Sequence, residues 1–385
     1  MPVQLTQRER EIFTAAREFA LAQYAPHAAE WEEGRALPET GVEAARRQGF
    51  FGVSCPKEVG GKGYDFLETA LTYEGLAHGD GGFAFFVQLH NNITFEIATY
   101  YDTSDEVKAL VPDMVSGKSL TAFALTEKDA GCDPAMSTAY AEEREDGYHI
   151  FGEKTWTSDS IDARHFNVIV KDGTPKGMLM LLVDRGTKGF EILEDRRRIG
   201  GNAMTCGTLR FSDCVVPKSR LLSADGFREA LRAIDVARIF VPAIAVGVAQ
   251  RAIDITTDYL AKRVTFGTPI LKNQAIQWEL AEMTAEVEAA RWLVYHAASK
   301  MDAGEPIAET AAMAKLIAPN TCMKVTTECA QLFGALGCEW NSEISRAMNM
   351  AKVMKVVDGS TEIQKIVLGR AIERRAFPRP ARPGK

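Results

Sequence analysis

The sequence predicts a mainly α-helical α+β protein built from three successive domains. Helical periodicity of apolar residues begins at Thr6, short β-type runs replace it near Ser119, and long helical segments return from Gly226. Strands and helices do not alternate, which argues against a parallel βαβ sheet. The expected divisions are an N-terminal helical domain at 1–118, a middle antiparallel β domain at 119–226, a C-terminal four-helix bundle at 227–376 and a disordered tail at 377–385.

Length and composition set the class of protein. At 385 residues the chain exceeds the size at which one hydrophobic core usually stops growing, so two or three domains are expected. The apolar and charged fractions, 46% and 25%, are those of a globular protein, and the net charge of −7 argues against a nucleic-acid partner. The N-terminal segment lacks an apolar export signal and no uncharged apolar run of about 18 residues occurs, which favours a cytoplasmic protein with no membrane partner.

Cysteine and histidine spacing predicts no metal site. The seven cysteines contain no Cys-x-x-Cys pair, and the six histidines complete no zinc-like array with them. Free thiols in a reducing compartment are therefore expected.

The N-terminal domain is predicted from capping and periodicity. Thr6 and Glu9 form a capping-box pattern ahead of apolar residues spaced three and four apart. A Gly-rich loop occupies 56–63. The other helical patterns cover 40–48, 66–77, 82–100 and 104–116.

The middle and C-terminal domains are predicted from a change in period. Short alternating or β-branched runs separated by Gly, Asp and Lys turns favour a compact antiparallel sheet. These runs lie at 120–125, 148–151, 166–171, 178–183, 190–193 and 207–211. Long helical segments joined by short loops then favour a bundle, and they lie at 227–263, 272–302, 307–333 and 342–370.

A carboxylate before a Gly-Ser turn marks a candidate catalytic site. The stretch at 357–364 reads Val-Asp-Gly-Ser-Thr-Glu-Ile-Gln. It resembles the Glu-Gly-Thr base motif of the acyl-CoA dehydrogenase family, with aspartate where most members carry glutamate and valine where many carry tyrosine. The resemblance implies that Asp358 is the catalytic base, that Gly359 lies beside the substrate, and that Ser360 and Glu362 lie beside FAD.

The segment at 123–133 resembles the family stretch that opens the β domain along the flavin. It reads Phe-Ala-Leu-Thr-Glu-Lys-Asp-Ala-Gly-Cys-Asp. The resemblance implies that Phe123, Leu125 and Thr126 contact the flavin, and that Cys132, which replaces the usual serine, lies beside the substrate. A flavin ring needs a flat apolar flank and a few in-plane hydrogen-bonding groups, which the end of a strand supplies.

The segment at 154–159, Lys-Thr-Trp-Thr-Ser-Asp, resembles the family pattern Lys-x-Trp-Ile-Thr-Asn. The resemblance implies that Trp156 covers one face of the flavin and that the Ser158 hydroxyl reaches the ring edge. Alone, this pattern is also typical of a core tryptophan on a strand.

Two bundle motifs resemble segments that hold the distal part of FAD in the family. Arg263, Phe266 and Gln274 match Arg-x-x-Phe-Gly followed by glutamine, and an arginine fork suits a diphosphate. A Gln-Gly turn resembling the adenosine-end motif contributes Gln331, Gly334 and Ala335. Alone, these patterns are a surface arginine and a helix C-cap, and only their order with the other motifs carries the resemblance. In the family, the arginine element binds the FAD of the neighbouring subunit. The resemblance therefore implies a homodimer at least, and a tetramer is expected because that is the usual assembly in the family.

The chemistry implied by the resemblance is removal of an α-proton from an acyl thioester and transfer of the β-hydrogen to flavin. Some relatives place a glutamate base just before Arg238, but Ala237 stands there, which leaves Asp358 as the base. Aspartate withdraws the carboxylate by roughly 1.5 Å relative to glutamate. The resemblance also implies that Asp235 and Arg238 lie on the substrate side, and that the base residue's own N–H and an FAD hydroxyl hold the thioester carbonyl.

The substrate and the partners are less narrowly defined. Aromatic residues at 85–86 favour a short or compact acyl chain, and His90 nearby is interpreted as structural. The acyl carrier is CoA or an acyl carrier protein. The resemblance implies an electron acceptor of the electron-transfer flavoprotein type and a role in fatty acid metabolism. The reaction can run as dehydrogenation or as enoyl reduction. The alternatives are a nitroalkane oxidase, a related flavoenzyme with an aspartate base, and an inactive flavin-binding relative. Asp235 and Arg238 on the substrate side, with Lys365 rather than arginine one or two helical turns after the base, favour thioesters.

Overall fold

The computed structural model describes residues 4–174 and 177–377, so the predicted tail lies outside the described residues from 378 onward. Within them the chain forms N-terminal helices, then a sheet, then long helices, which confirms the predicted fold class. The N-terminal helices are α1 (Gln7–Gln23), α2 (Ala28–Gly34), α3 (Glu39–Gln48), α4 (Phe66–Ala77), α5 (Gly81–Thr99), α6 (Asp105–Lys108) and α7 (Val111–Val115).

The predicted capping box is present, since the Thr6 hydroxyl accepts from the Glu9 N–H and the Glu9 carboxylate accepts from the Thr6 N–H. Two details of this domain were predicted wrongly. Helix α2 was missed, and the single helix expected at 104–116 is two short ones. Pro112 lies in the first turn of α7, where its missing N–H costs no hydrogen bond, so a new helix begins there.

The middle domain is one eight-stranded sheet in the order β6-β7-β3-β2-β4-β5-β8, with β1 paired to β4. Its pairings are mostly antiparallel, as predicted, but β1 and β2 each run parallel to β4. The sequence patterns did not predict β2 and β8. The strands are β1 (Thr121–Ala124), β2 (Tyr140–Arg144), β3 (Gly147–Ser158), β4 (His165–Lys171), β5 (Met178–Asp184), β6 (Phe190–Asp195), β7 (Cys206–Val216) and β8 (Leu221–Ser223).

The C-terminal domain contains α8 (Gly226–Lys262), a small hairpin of β9 (Val264–Thr265) and β10 (Thr268–Pro269), α9 (Gln274–Asp302), α10 (Ala308–Leu332), α11 (Glu343–Met354) and α12 (Thr361–Ala376). The prediction of one helix at 342–370 was wrong. The chain breaks after α11 because Asp358 and Gly359 take φ angles of +53° and +94°, which a right-handed helix cannot contain. The predicted base lies in this break.

The largest hydrophobic core joins the N-terminal helices to the bundle. Tyr73 of α4 meets Phe240 of α8 edge to face, with ring centroids 5.2 Å apart. Beside this contact, the buried Glu74 accepts hydrogen bonds from Arg291 Nε at 2.8 Å and from the Tyr295 hydroxyl at 2.9 Å. Helix α8 therefore runs through the middle of the molecule, with α5 on one side and α10 on another. No described helix is both long enough and apolar enough to cross a membrane.

Candidate active site

The Asp358 turn links α11 to α12 and presents the carboxylate to the interior. Its Oδ2 atom is buried and has no hydrogen-bond partner among the described residues. Asp358 takes a left-handed φ of +53°, which aspartate tolerates better than most residues. Burying a carboxylate oxygen without a hydrogen-bond partner costs free energy. This arrangement is typical of a group that interacts with a bound ligand.

Arg238, on α8, holds the turn from one side. Its Nε donates to the Asp358 carbonyl at 3.2 Å and its Nη1 donates to Asp235 Oδ1 at 2.7 Å. The approach is close because Gly359 has no side chain: a Cβ there would lie 3.0 Å from Arg238 Nη2. The structure thus brings together the predicted base and the three residues assigned to the substrate side on the bundle.

Two further residues hold the same turn and were not predicted. Lys315, on α10, is 1% exposed, and its Nζ donates to the Met354 carbonyl at 2.8 Å and to the Gly359 carbonyl at 3.3 Å. Gln364, on α12, donates from Nε2 to the Gly359 carbonyl at 2.8 Å. The sequence signal for Lys315 was a lone charge within an otherwise apolar stretch of α10, which indicates a buried charge with a dedicated partner.

Burial and nearby cations act on the Asp358 carboxyl in opposite directions. Burial raises its pKa, and the positive charges of Lys315 and Arg238 partly offset that rise. The net pKa is raised above the ordinary aspartate value. A base with a raised pKa binds a proton more strongly, which suits proton abstraction near neutral pH.

The two middle-domain motifs, at 123–133 and 154–159, are joined by hydrogen bonds. The Thr155 N–H donates to the Thr126 carbonyl at 2.8 Å. The fully buried Lys154 donates to the Leu125 carbonyl at 3.1 Å and to Glu127 Oε1 at 2.8 Å. Because the ion pair is buried and its carboxylate also accepts from backbone N–H groups at 138–139, it fixes the end of β1 against β3.

Trp156 is displayed on a bulge. The pairing of β3 with β7 shifts register between Lys154 and Thr157, and Trp156 has a left-handed φ of +55°. A bulge re-aims a side chain, and here it leaves the large indole 56% exposed. Ser158 closes β3, opposite Cys206. An exposed aromatic face beside a strand end is a surface that fits the planar ring of a flavin.

Cys132 connects the first motif to the base turn. Its sulfur lies 3.9 Å from the Ser360 hydroxyl oxygen, although the two residues are far apart in sequence. Ser360 is the N-cap of α12, and Glu362 follows, exposed, in the first turn of that helix. The middle-domain motif and the turn that carries Asp358 are therefore adjacent in the fold.

The remaining motifs lie at the other end of α8. At a helical rise of about 1.5 Å per residue, Arg238 and Arg263 are roughly 37 Å apart. The adenosine-end turn joins them there, since Phe333 stacks on Tyr259 with centroids 4.6 Å apart. This far-end group is exposed and comprises Arg263, Phe266, Gln274, Gln331, Gly334 and Ala335. Within one chain it does not meet the Asp358 turn.

His90 is structural in its contacts. Its Nδ1 accepts from the Thr121 N–H at 3.1 Å, so its Nε2 carries the proton and donates to the Met114 carbonyl at 2.8 Å. Phe85 and Phe86 of the same helix are buried within the main core. Both ring nitrogens of His90 are thus occupied, and the aromatic side chains at 85–86 pack into the main core.

Comparison with known proteins decides the family. The chain matches the acyl-CoA dehydrogenase N-terminal domain over residues 6–118, the middle domain over 122–214 and the C-terminal domain over 224–373. The chain belongs to the acyl-CoA dehydrogenase family. It is an oxidoreductase of that family and uses FAD.

Relatives of known activity resemble the chain along its whole length. A short-chain-specific acyl-CoA dehydrogenase of Clostridium acetobutylicum is 31% identical, with 97% of this chain and 100% of that protein covered. The structure of butyryl-CoA dehydrogenase from Megasphaera elsdenii matches with a TM-score of 0.93 and 30% identity, over 97% of this chain and 100% of that one. A glutaryl-CoA dehydrogenase from Mycobacterium smegmatis in complex with FADH2 matches with a TM-score of 0.92 and 26% identity, over 97% of each chain.

Proposed function

We propose that the chain dehydrogenates a short or compact acyl-CoA between its α- and β-carbons, with Asp358 as the base that removes the α-proton. The observation that carries the proposal is the buried Asp358 Oδ2, which has no partner among the described residues and sits on a turn held by Arg238 and Lys315. The raised pKa of Asp358, caused by burial, matches the role of a proton acceptor.

The backbone of the Asp358 turn supports a second role, which is to bind the thioester carbonyl. The Asp358 and Gly359 carbonyls already accept from Arg238, Lys315 and Gln364. Across the described chain, no acceptor takes the Asp358 N–H. That N–H is therefore available for the oxygen on which charge develops as the α-proton leaves, and such a donor is most effective where water is excluded.

The residues of the middle domain fit FAD. Trp156 offers an exposed indole face, and Leu125 and Thr126 follow the end of β1, where the Thr155 N–H donates to the Thr126 carbonyl. In this proposal Phe123, Thr126 and Ser158 contact the ring edge. When bound, FAD accepts the β-hydrogen as hydride. The chain's part is to orient the thioester over this surface and to hold the abstracted proton on Asp358.

The acyl group is proposed to be short because the helix expected to line the acyl pocket, α5, carries bulky aromatic side chains. Phe85 and Phe86 are both buried in the main core, and His90 is fixed by two hydrogen bonds. Val357 replaces a tyrosine that is common in the family, so a branched or otherwise compact chain also fits the proposal. The short-chain activity of the similar Clostridium and Megasphaera enzymes supports the same size class.

The active form is proposed to be an oligomer, a dimer at least. Arg263 lies roughly 37 Å along α8 from Arg238, which contacts the Asp358 turn, so we assign the far-end group to the FAD of another subunit. Phe266 is fully exposed and Trp278 is 61% exposed on that part of the surface, and large exposed aromatic side chains mark interaction sites. A tetramer and an electron acceptor of the electron-transfer flavoprotein type complete the proposal.

The test measures bleaching of the flavin absorbance without oxygen. The panel contains acyl-CoAs with straight, branched and cyclic chains, nitroalkanes and carrier-protein thioesters. We expect rapid bleaching by one short or compact acyl-CoA. Asp358→Asn, which keeps the size but not the basicity of the side chain, should slow bleaching at least about 1,000-fold without loss of bound flavin. Turnover by Asp358→Asn at the wild-type rate would exclude Asp358 as the base.

The nitroalkane alternative rests on the aspartate itself and is decided by the same panel. Bleaching by nitroalkanes and by no thioester would replace the dehydrogenase proposal with the oxidase. Bleaching only by a carrier-protein thioester would keep the reaction and change the acyl carrier.

A further inference from the structure

Lys315 is an unusual group to find beneath a catalytic turn. A lysine is almost never fully buried unless it is paired, and Lys315 is 1% exposed without an ion-pair partner in direct contact among the described residues. Its neighbours along α10 are small apolar residues, with Ala311, Ala314 and Ala318 all buried. The cost of burying this charge indicates that its position serves a purpose that a methionine or leucine would not.

The ammonium group joins the two ends of the break in the helix. It donates to the Met354 carbonyl, which is one of the orphan carbonyls at the end of α11, and to the Gly359 carbonyl, which follows the base. Gln364 donates to the same Gly359 carbonyl at 2.8 Å, and Arg238 donates to the Asp358 carbonyl at 3.2 Å. Side chains from α8, α10 and α12 therefore fix two consecutive carbonyls of one turn.

We propose that Lys315 is the positioning residue of the base: its ammonium group holds the Asp358 turn in its left-handed conformation. The inference rests on the proposed function of Asp358. A residue held at positive φ is maintained only when its surroundings over-determine it, and Lys315 supplies one of those constraints without touching the substrate.

The charge of Lys315 has a measurable consequence. The charged groups that act on Asp358 are Lys315 from α10 and Arg238 from α8, the latter paired with Asp235, whereas Glu362 and Lys365 of α12 are exposed. Burial lowers the pKa of Lys315 to about 8, so the group is mainly protonated at neutral pH. A nearby cation favours the ionised carboxylate, so its removal must raise the pKa of Asp358 further.

The experiment compares Lys315→Met and Lys315→Gln with the wild-type flavoenzyme. Methionine removes both the charge and the donors, whereas glutamine keeps a neutral donor. In both variants we expect the acid limb of the kcat/KM profile, where activity falls as Asp358 becomes protonated, to move upward by about one pH unit. We expect kcat to fall about tenfold in Lys315→Gln and further in Lys315→Met. KM should change little. A merely structural role would not move the acid limb.

The matched control is Lys324→Met, on the same helix. Lys324 is about half exposed and pairs with Glu286 at the surface, at 2.5 Å, so the control should leave the acid limb and kcat unchanged. An unmoved acid limb in flavin-loaded Lys315 variants would overturn the inference. Failure of both Lys315 variants to fold would also overturn it, because Lys315 would then serve stability alone.

Failure of the inference and failure of the proposed function give different results. If Asp358→Asn keeps full turnover, the base assignment fails, whatever the Lys315 variants do. If Asp358→Asn is inactive while both Lys315 variants keep the wild-type acid limb, the base assignment stands and only the role of Lys315 is wrong.

Discussion

At the scale of single residues, the turn that carries the proposed base is set by two adjacent backbone conformations. Asp358 and Gly359 both have positive φ, but only the glycine is also required for space, since a Cβ at 359 would lie 2.9 Å from Gln364 Nε2 and 3.0 Å from Arg238 Nη2. Aspartate at 358 tolerates its angle at modest cost. The turn is therefore determined by the pair, and substituting the glycine is the sharper test.

Gly359→Ala should lower the thermal midpoint and reduce kcat. The left-handed φ costs alanine about 1–2 kcal/mol, and the added methyl displaces the side chains that hold the turn. The measurements are thermal unfolding followed by flavin release, and steady-state kinetics.

Gly369→Ala is the matched control, because Gly369 lies inside α12. Apart from the adjacent residues and the backbone of the helix itself, no described atom lies within 4 Å of the position that an added methyl group would take. That change should stabilise the protein by up to about 1 kcal/mol and leave kcat unchanged. Equal behaviour of the two variants would show that the turn at 359 imposes no special geometry.

At the scale of elements, two hydrogen bonds of His90 join α5 to β1 and to the end of α7. Burial lowers the pKa of His90 to about 4, against an ordinary value of 6.5. Above pH 6.5 the folded and unfolded chains both hold the neutral ring, so no stability is lost. As the pH falls from 6.5 toward 4, the unfolded chain takes up a proton that the folded chain refuses, so stability falls over that window.

His90→Gln should reduce this pH dependence. Glutamine keeps a donor and an acceptor but does not titrate, so the variant should lose less stability than the wild type between pH 6.5 and 4, by an amount on the order of 3 kcal/mol at the lower limit. The measurement is the thermal midpoint as a function of pH. The same substitution at the exposed His27 is the control and should follow the wild-type curve. Parallel curves for His90→Gln and the wild type would contradict the expectation.

At the scale of the whole molecule, the Asp358 turn and the far-end group do not meet within one chain. If Arg263 acts on a neighbour's FAD, two defective chains should complement each other. Asp358→Asn supplies an intact Arg263, and Arg263→Met supplies an intact Asp358, so a mixed oligomer contains sites with both groups.

Co-refolding or co-expressing the two variants should recover on the order of a quarter of wild-type activity, whereas each variant alone should stay nearly inactive. The measurement is specific activity per subunit, with FAD in excess. A mixture of Asp358→Asn with Asp358→Asn/Arg263→Met contains no intact base and is the negative control. Absence of recovery in a demonstrated mixed oligomer would place Arg263 on the FAD of its own chain.

Much of the architecture follows from the sequence because it is encoded locally. Periods of apolar residues predict α4, α5, α8, α9 and α10 to within a few residues, and the capping pair at Thr6 and Glu9 marks the start of α1. The short strands β2 and β8 were missed, since β2 is mostly exposed and has little hydrophobic pattern. The division into domains at 118 and 226 stays a prediction.

The sequence by itself determined the fold class, the family resemblance and the identity of the candidate base, because these depend on residue type, order and spacing. Only the tertiary structure decided that the last predicted helix is broken at Asp358, that Lys315 and Gln364 hold that break, and that Arg263 lies roughly 37 Å along α8 from Arg238. Each of these depends on contacts between helices distant in sequence, and local periodicity cannot specify which backbone carbonyl a buried ammonium group will reach.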